Sequence, residues 1–523
     1  MALITGTRRH VPRSGSQPPW FSKLIKPKES YFSYAGQEES PVDHDISFRP
    51  GLGADGADTY TPRTLIYDLK GAFGTLRREN ALYALQQHEN PAQTGPWSGS
   101  TANLHMPPIA PSPYQQALDQ GTEPPALTTG TVRFWSDYNH IFYHPRSIVQ
   151  LSEYELNSSL MPFERWQTGE ELFSNLDREH DLLDRDLRPL LEECDQLQAL
   201  QIFSSIDDAW GGFTSRYLER ISDEMGKGSR WVFGLKDGKQ HSRDRQMLQM
   251  ANLAQSVLGV DTSAATHIPL TSFPRPLPSY VSLDAASQWH TSALQATLLE
   301  SVTLPTRLRS TDTARATFDQ LETTLNNDGK RRILSASMSA DDPAQLENEL
   351  QVGCSRDVRM TNGLPEEDYE VDNEELDISM FPSMSTLPSS SGRRLGRRVH
   401  IFGKAECVRG PWEAQVGSNA SSDITRDRFT EGPRTATHNT QLLFPVLPSY
   451  PRIFDFADRP EKLAIKATVS TSTAVADQIR ELERASRRLI SVDEREALCD
   501  GLFAISDEYE EGWTGDDESD DDD

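Results

Sequence analysis

The sequence predicts an α/β protein, a parallel sheet with flanking helices interrupted by disordered acidic segments. Three observations lead there. Short apolar runs alternate with stretches of helical periodicity. Only 36% of the 523 residues are hydrophobic, and the mean hydropathy is −0.59, so long polar stretches must dilute the folded parts. The acidic excess sits in blocks rather than being spread along the chain.

The elements follow in order. Thr64 to Leu69 (TLIYDL) reads as a buried strand. Leu183, Leu187, Leu190, Leu191, Cys194 and Leu197 recur at three- and four-residue spacing, one face of a helix. Leu200 to Ser204 reads as a strand, Thr214 to Met225 as a helix and Trp231 to Gly234 as the next strand. Near the end, Val475, Ile479, Leu482, Leu489 and Ile490 mark a further helix.

Charge bounds the function classes. The formal net charge is −27, with eleven acids in Asp507 to Asp523 and eight in Glu366 to Asp377, neither run containing a base. Such runs repel themselves and stay solvated, leaving a body that carries −8. This balance argues against general nucleic-acid binding, because phosphate repels an acidic chain. No run of eighteen apolar residues occurs, so no transmembrane helix is expected. Cys194, Cys354, Cys407 and Cys499 are far apart, which excludes a C-x-x-C zinc site or a disulfide scaffold and suits a reducing compartment.

Several motifs match by letter and fail by context. Gly51 to Gly56 spells G-x-G-x-x-G but precedes a strand instead of following one, so it reads as a surface loop. Gly226-Lys-Gly-Ser229 follows a helix and reads as a C-cap turn in which glycine supplies the left-handed conformation. His180 and Asp181 read as part of a charged outer helix face. No H-E-x-x-H or G-x-S-x-G is present. The informative stretch is Cys194 to Glu224, which reads as helix, strand, glycine turn and helix. Gly211 and Gly212 stand where strand hands over to helix, a natural anion site.

This stretch resembles the tubulin/FtsZ superfamily, whose Cys-Asp-x-Leu-Gln-x-x-Gln lead-in is matched by Cys194, Asp195, Leu197, Gln198 and Gln201. Thr61-Pro-Arg-Thr-Leu-Ile-Tyr-Asp-Leu-Lys-Gly71 and Trp166-Gln-Thr-Gly-Glu-Glu-Leu172 are similar to further tubulin segments. More specifically, the chain resembles the Misato family through Phe134-Trp-Ser-Asp-Tyr138, Phe142-Tyr-His-Pro-Arg-Ser147, Glu155 to Glu164, Trp210-Gly-Gly-Phe213 and Phe444-Pro-Val-Leu-Pro448. The resemblance covers roughly 29–310 well and 399–490 more loosely. It implies a tubulin-like fold with a smaller C-terminal α/β domain, and a part in the partitioning and inheritance of mitochondria and mitochondrial DNA and in mitochondrial morphology.

On that frame the chain divides into a basic disordered start (1–28), an N-terminal tubulin-like segment (29–85) and a Pro-rich insertion (86–128). A nucleotide-type domain with its core helix (129–350), an acidic then Ser/Arg-rich linker (351–398), a C-terminal domain (399–490) and an acidic tail (491–523) follow. The start carries Arg8, Arg9, Arg13, Lys23, Lys26 and Lys28 without an acid, as a transit peptide would, but Pro12, Pro18 and Pro19 interrupt any helix. It bears no likeness to the family's usual first strand, which is therefore expected to be missing or altered.

The departures decide the expected chemistry. Where tubulins carry a glycine-rich phosphate loop, this chain offers Asp207, Asp208, Ala209, Trp210, Gly211, Gly212 and Phe213. Two carboxylates repel a triphosphate, by about 3 kcal/mol for each like-charge pair at about 5 Å and an effective dielectric near 20. Lys70 stands where the tubulin turn has a metal-associated Glu, and the catalytic Asn/Asp loop has Asn326, Asn327 and Asp328 as its candidate. The expectation is a non-enzymatic protein with no catalytic residue, metal or resident cofactor. It is expected at the cytosolic face of the mitochondrion and in the cytoplasm, with protein partners on the mitochondrial surface or cytoskeleton. Arg393, Arg394, Arg397 and Arg398 offer peripheral contact with anionic lipid, or neutralise the nearby acids. The alternatives are a GTP-binding, polymerising switch and a cofactor for tubulin assembly. In the switch, Gly211, Gly212 and Thr214 would contact phosphate, and Asp207 or Asp208 would hold the metal.

Overall fold

The computed structural model describes residues 2–5, 31, 40–53, 56, 58–76, 109–139, 141–226, 228–352, 376–382, 399–412, 433–489 and 492–510. The chain opens with β1 (Ala2–Thr5), then a hairpin of β2 (Phe48–Leu52) and β3 (Asp58–Pro62), then β4 (Thr64–Lys70) and β5 (Ile148–Glu155). After these come β6 (Ala199–Ser205), β7 (Ser229–Lys236) and β8 (Thr266–Thr271). Six of these strands form one sheet in the order β5-β4-β1-β6-β7-β8, every pairing parallel.

The expectation of a missing first strand is corrected. Ala2–Thr5 lies at the centre of the sheet, with Ile4 opposite Ile66 on one side and Phe203 on the other. Ala-Leu-Ile-Thr is only a four-residue strand, and the basic residues that follow it dominate the composition of the segment. Residues 6–30, the rest of the expected basic start, lie outside the described residues. The surface-loop reading of Gly51–Gly56 is corrected in part: Gly51 and Leu52 end β2, paired with Thr59 and Asp58, and beyond them the Gly56 N–H donates to the Gly53 carbonyl at 3.0 Å.

Strands of a parallel sheet are covered on both faces and read as continuous apolar runs. β6 is buried throughout and β4 is buried up to Leu69. Alternation then assigns the faces. Leu65, Tyr67, Leu200 and Ile202 pack into one core, whereas Ile66, Phe203, Phe233 and Ile268 pack into the other.

The helices are α1 (Pro113–Asp119), α2 (Trp166–His180), α3 (Arg188–Glu192), α4 (Ala209–Glu224) and α5 (Arg243–Thr262). The second half adds α6 (Gln288–Val302), α7 (Phe318–Leu325), α8 (Pro343–Val352), α9 (Ala474–Leu489) and α10 (Val492–Glu508). α2 and α4 cover the Tyr67 face. α6 covers the other face and is buried at every residue from Thr291 to Val302, as befits a helix enclosed on all sides. The helix expected over Leu183 to Leu197 is broken up: a π-turn at Leu183–Leu187 leads into α3, and Cys194 and Leu197 lie beyond it. α1, N-capped by Ser112, falls inside the stretch read as a Pro-rich insertion.

The second sheet contains β9 (Ser335–Asp341), β10 (Ile378–Ser379), β11 (Ile401–Arg409), β12 (Arg434–Thr440) and β14 (Lys462–Ser472), in the order β10-β9-β14-β11-β12. A short β13 (Phe444–Pro445) pairs with β14. The second sheet therefore begins at 335, earlier than the boundary at 399, and takes a strand from the stretch read as a linker. The reading of 491–523 as a tail is corrected too. Leu498, Leu502, Ile505 and Tyr509 recur at helical spacing and bury α10 against α9 and α5. Residues 511–523 lie outside the described residues.

Candidate functional site

At the carboxyl end of β6 the chain passes through Ile206, Asp207 and Asp208 directly into α4. The expected loop is thus reduced to three residues. Asp208 is the N-cap of α4, its Oδ1 accepting from the Trp210 N–H at 2.9 Å. A carboxylate at this place satisfies an orphan donor and complements the helix dipole, the two services a bound phosphate would perform.

Asp207 is 4% exposed and turns the other way. It accepts from Ser205 Oγ at 3.0 Å, from the Asp237 N–H at 3.0 Å and from Gln249 Nε2 at 3.1 Å. Burial, and then the neighbouring Asp237 charge, raise its carboxyl above the ordinary aspartate value. Burial also works against the Asp237 carboxylate, but hydrogen bonds from His241, at 2.9 Å, and the Lys239 N–H bring it below the ordinary value. Lys236 and Arg245 flank the acids, both lowered by burial and partly restored by Asp207 and Asp237. The negative charge of this turn is thus met by the chain's own cations and amides.

The glycines serve helix packing. A Cβ on Gly212 would overlap the Trp166 carbonyl oxygen, and one on Gly169 would overlap the Ala209 carbonyl oxygen. These two positions let the backbones of α2 and α4 cross in contact. A Cβ on Gly211 would strike Ser256 Oγ on α5. The same bareness that makes glycine suitable beside phosphate makes it suitable at a close helix crossing. Thr214 points inward, its Oγ1 donating to Ser204 Oγ at 2.7 Å.

Trp210 and Phe213 lie in the core rather than across an open mouth. Trp210 is edge-on to Phe163 at 5.1 Å, and Phe213 is edge-on to Phe173 at 5.2 Å and tilted against Tyr67 at 5.6 Å. Asn252, on α5, staples the assembly. Its Nδ2 donates to the Glu164 and Asp207 carbonyls at 2.8 and 3.1 Å, and its Oδ1 accepts from the Trp166 N–H at 3.0 Å.

The other sequence candidates are not drawn into this cluster by any contact named above. Lys70 is exposed at the end of β4, opposite Glu155. Asn326, Asn327 and Asp328 form a turn in which Asp328 pairs with Arg331 at 2.7 Å and Asn327 accepts from Arg434 at 2.6 Å. Asp181 caps α2 in the left-handed conformation, with φ 46°. Gly226 and Gly228 follow α4 without positive φ, so neither glycine supplies the left-handed conformation anticipated there. Among the described residues no group of three His, Cys, Asp or Glu side chains is placed to hold a metal ion. Sequence reading missed Asp237, His241, Arg245, Gln249 and Asn252; the signal was a polar run, Lys236-Asp-Gly-Lys-Gln-His241, ending a buried strand.

Comparison with known proteins agrees with this architecture. Residues 26–120 match the family described as Misato segment II tubulin-like domain, and residues 124–308 match a tubulin domain. The chain is 46% identical to Protein DML1 of Phaeosphaeria nodorum across 95% of each chain. The chain belongs to the Misato/DML1 family. Protein dml1 of Aspergillus oryzae is 44% identical across 94% of each chain, and Protein dml-1 of Neurospora crassa is 43% identical over 95% of this chain and 96% of its own. In this Misato/DML1 chain the tubulin-like sheet is kept, while the turn after β6 is closed by Asp208, Asp207 and the α2–α4 crossing. No helix among the described residues is long and apolar enough to cross a membrane.

Proposed function

We propose that the protein is a non-enzymatic, tubulin-like scaffold acting in the partitioning and inheritance of mitochondria and their DNA, and in mitochondrial morphology. The observation that carries the non-enzymatic part is the turn after β6. Asp208 occupies the helix N-terminus, and Gly211 and Gly212 are consumed by helix contacts. A chain that keeps the fold while spending the phosphate-binding groups on its own packing is suited to work through its surface. The mitochondrial part rests on the family resemblance. The protein acts at the cytosolic face of the mitochondrion and in the cytoplasm, with protein partners on that surface or on the cytoskeleton. Arg393, Arg394, Arg397 and Arg398, outside the described residues, add contact with anionic lipid.

The test is depletion of the protein in dividing cells. Mitochondria and their DNA should be distributed unequally between daughters, and a chain carrying Asp208→Asn should restore the distribution. Normal distribution after depletion would overturn the proposal, and a collapse of the tubulin pool before any mitochondrial defect would overturn it in favour of a cofactor for tubulin assembly.

A further inference from the structure

The loop between β5 and α2 holds the most exposed large apolar side chain among the described residues. Leu160 is 92% exposed and Met161 is 53% exposed, and Pro162 beside them is also open to solvent. This apex follows the carboxyl end of β5, at the same end of the parallel sheet as Asp207.

The apex is braced on both sides. Before it, the Leu156 N–H donates to the Lys70 carbonyl at 3.0 Å, and Asn157 takes a left-handed φ of 61°. The Ser158 N–H donates to the Glu155 carbonyl at 3.2 Å, and Ser158 Oγ accepts from the Met161 N–H at 3.2 Å. After it, Phe163 turns into the core, its ring centroid 5.0 Å from Tyr154 and 5.1 Å from Trp210. The Glu164 carbonyl accepts from Asn252 Nδ2 at 2.8 Å. Three residues apart, then, Phe163 is buried and Leu160 is held outward on an ordered turn. Such an apex gives up little conformational freedom when something covers it.

Area and charge select what covers it. Two side chains on a convex apex fall far short of the roughly 800 Å² per partner that a stable protein interface buries. A bilayer needs no matching shape and rewards each apolar group that enters it. The segment Leu156 to Phe163 carries no charge, so it can pass the headgroup layer without taking an ion into hydrocarbon. At its feet Glu155 and Glu164 are balanced in number by Lys70 and Arg165.

We propose that Leu160 and Met161 form a wedge that inserts into the facing leaflet of a lipid bilayer. Two side chains bury less than one myristoyl chain, which binds with about 10⁴ M⁻¹, so the contact is weak and reversible. The wedge deepens the reading of a protein at the mitochondrial surface and rests on that reading only for which membrane it meets.

Co-sedimentation of the full chain with neutral phosphatidylcholine/phosphatidylethanolamine vesicles tests the wedge, since these lipids offer an arginine run no net negative charge. At about 5 mM lipid roughly half of the chain should sediment, and the fraction should hold between about 0.1 and 0.5 M salt. Leu160→Asp should weaken the partition about tenfold, Leu160→Ile should preserve it, and neither should move the thermal midpoint of the free protein. No sedimentation of the parent, its loss at the higher salt, or equal sedimentation of Leu160→Asp would overturn the proposal. A parent that is dimeric in solution and a Leu160→Asp variant that is monomeric would overturn it in favour of a contact between two copies. None of these results alters the outcome expected of depletion, so the wedge and the role in partitioning fail separately.

Discussion

Gly212 of α4 lies against the Trp166 carbonyl oxygen of α2 so closely that a Cβ on the glycine would overlap it. The reciprocal contact is made by Gly169 against the Ala209 carbonyl, so the two helices touch backbone to backbone where the strand-to-helix turn begins. This crossing gives the second glycine of Trp210-Gly-Gly-Phe213 a packing role.

Gly212→Ala should therefore destabilise the protein by about 1–3 kcal/mol through overpacking, since the atom it meets is backbone and cannot move aside alone. Urea unfolding measures this. A glycine kept for phosphate would instead leave the stability of the free protein near that of the parent.

Asp208→Ala should cost about 1 kcal/mol by removing the N-cap of α4, and Asp208→Asn should recover most of it because the amide oxygen still accepts from the Trp210 N–H. Equal losses in both variants would mean that charge, not the cap hydrogen bond, is what matters there.

Asn252→Leu should cost on the order of 3 kcal/mol, since it leaves the half-buried Trp166 N–H and the Glu164 and Asp207 carbonyls without this partner. Denaturant titration should show the loss without a change in slope. A cost below 1 kcal/mol would show that these groups find other partners.

His267, on β8, is 1% exposed, and neither ring nitrogen has a hydrogen-bond partner among the described residues. Burial lowers its pKa from 6.5 to about 4. The unfolded chain thus takes up a proton that the folded chain refuses. The stability this group contributes is complete above pH 6.5 and is lost as pH falls towards 4, by about 3 kcal/mol. His267→Leu should flatten the fall in stability across that window by a similar amount, read from unfolding curves at several pH values. A variant as acid-sensitive as the parent would contradict the assignment.

Much of the first sheet was legible because its strands are buried on both faces: Thr64 to Leu69 and Leu200 to Ser204 are apolar enough to stand out without context. β1 was not, since four residues give no period and its neighbours in the sheet come from residues 64 and 201 onwards. The apolar spacing from Leu183 to Leu197 outlasts the helix that it suggests. Pro189 sits in the first turn of α3, and after Glu192 the chain has to turn to reach the start of β6. The strand-to-helix turn at Asp207 to Phe213 was legible in position, but the packing of its glycines was not. Gly211 and Gly212 mark both an anion cradle and a helix crossing in the same letters, and only the partner surfaces, Trp166 and Ser256, separate the two. Asp237 and Asn252 were invisible because their significance depends on reaching Asp207 from beyond α4 and β7 in the chain, and His241 acts through Asp237.

The most direct test of the closed turn is a calorimetric titration of the full chain with GTP and magnesium. The expected result is no saturable binding up to about 1 mM nucleotide, and none gained when magnesium is added. Magnesium-dependent binding in the micromolar range, abolished by Asp208→Ala, would contradict it.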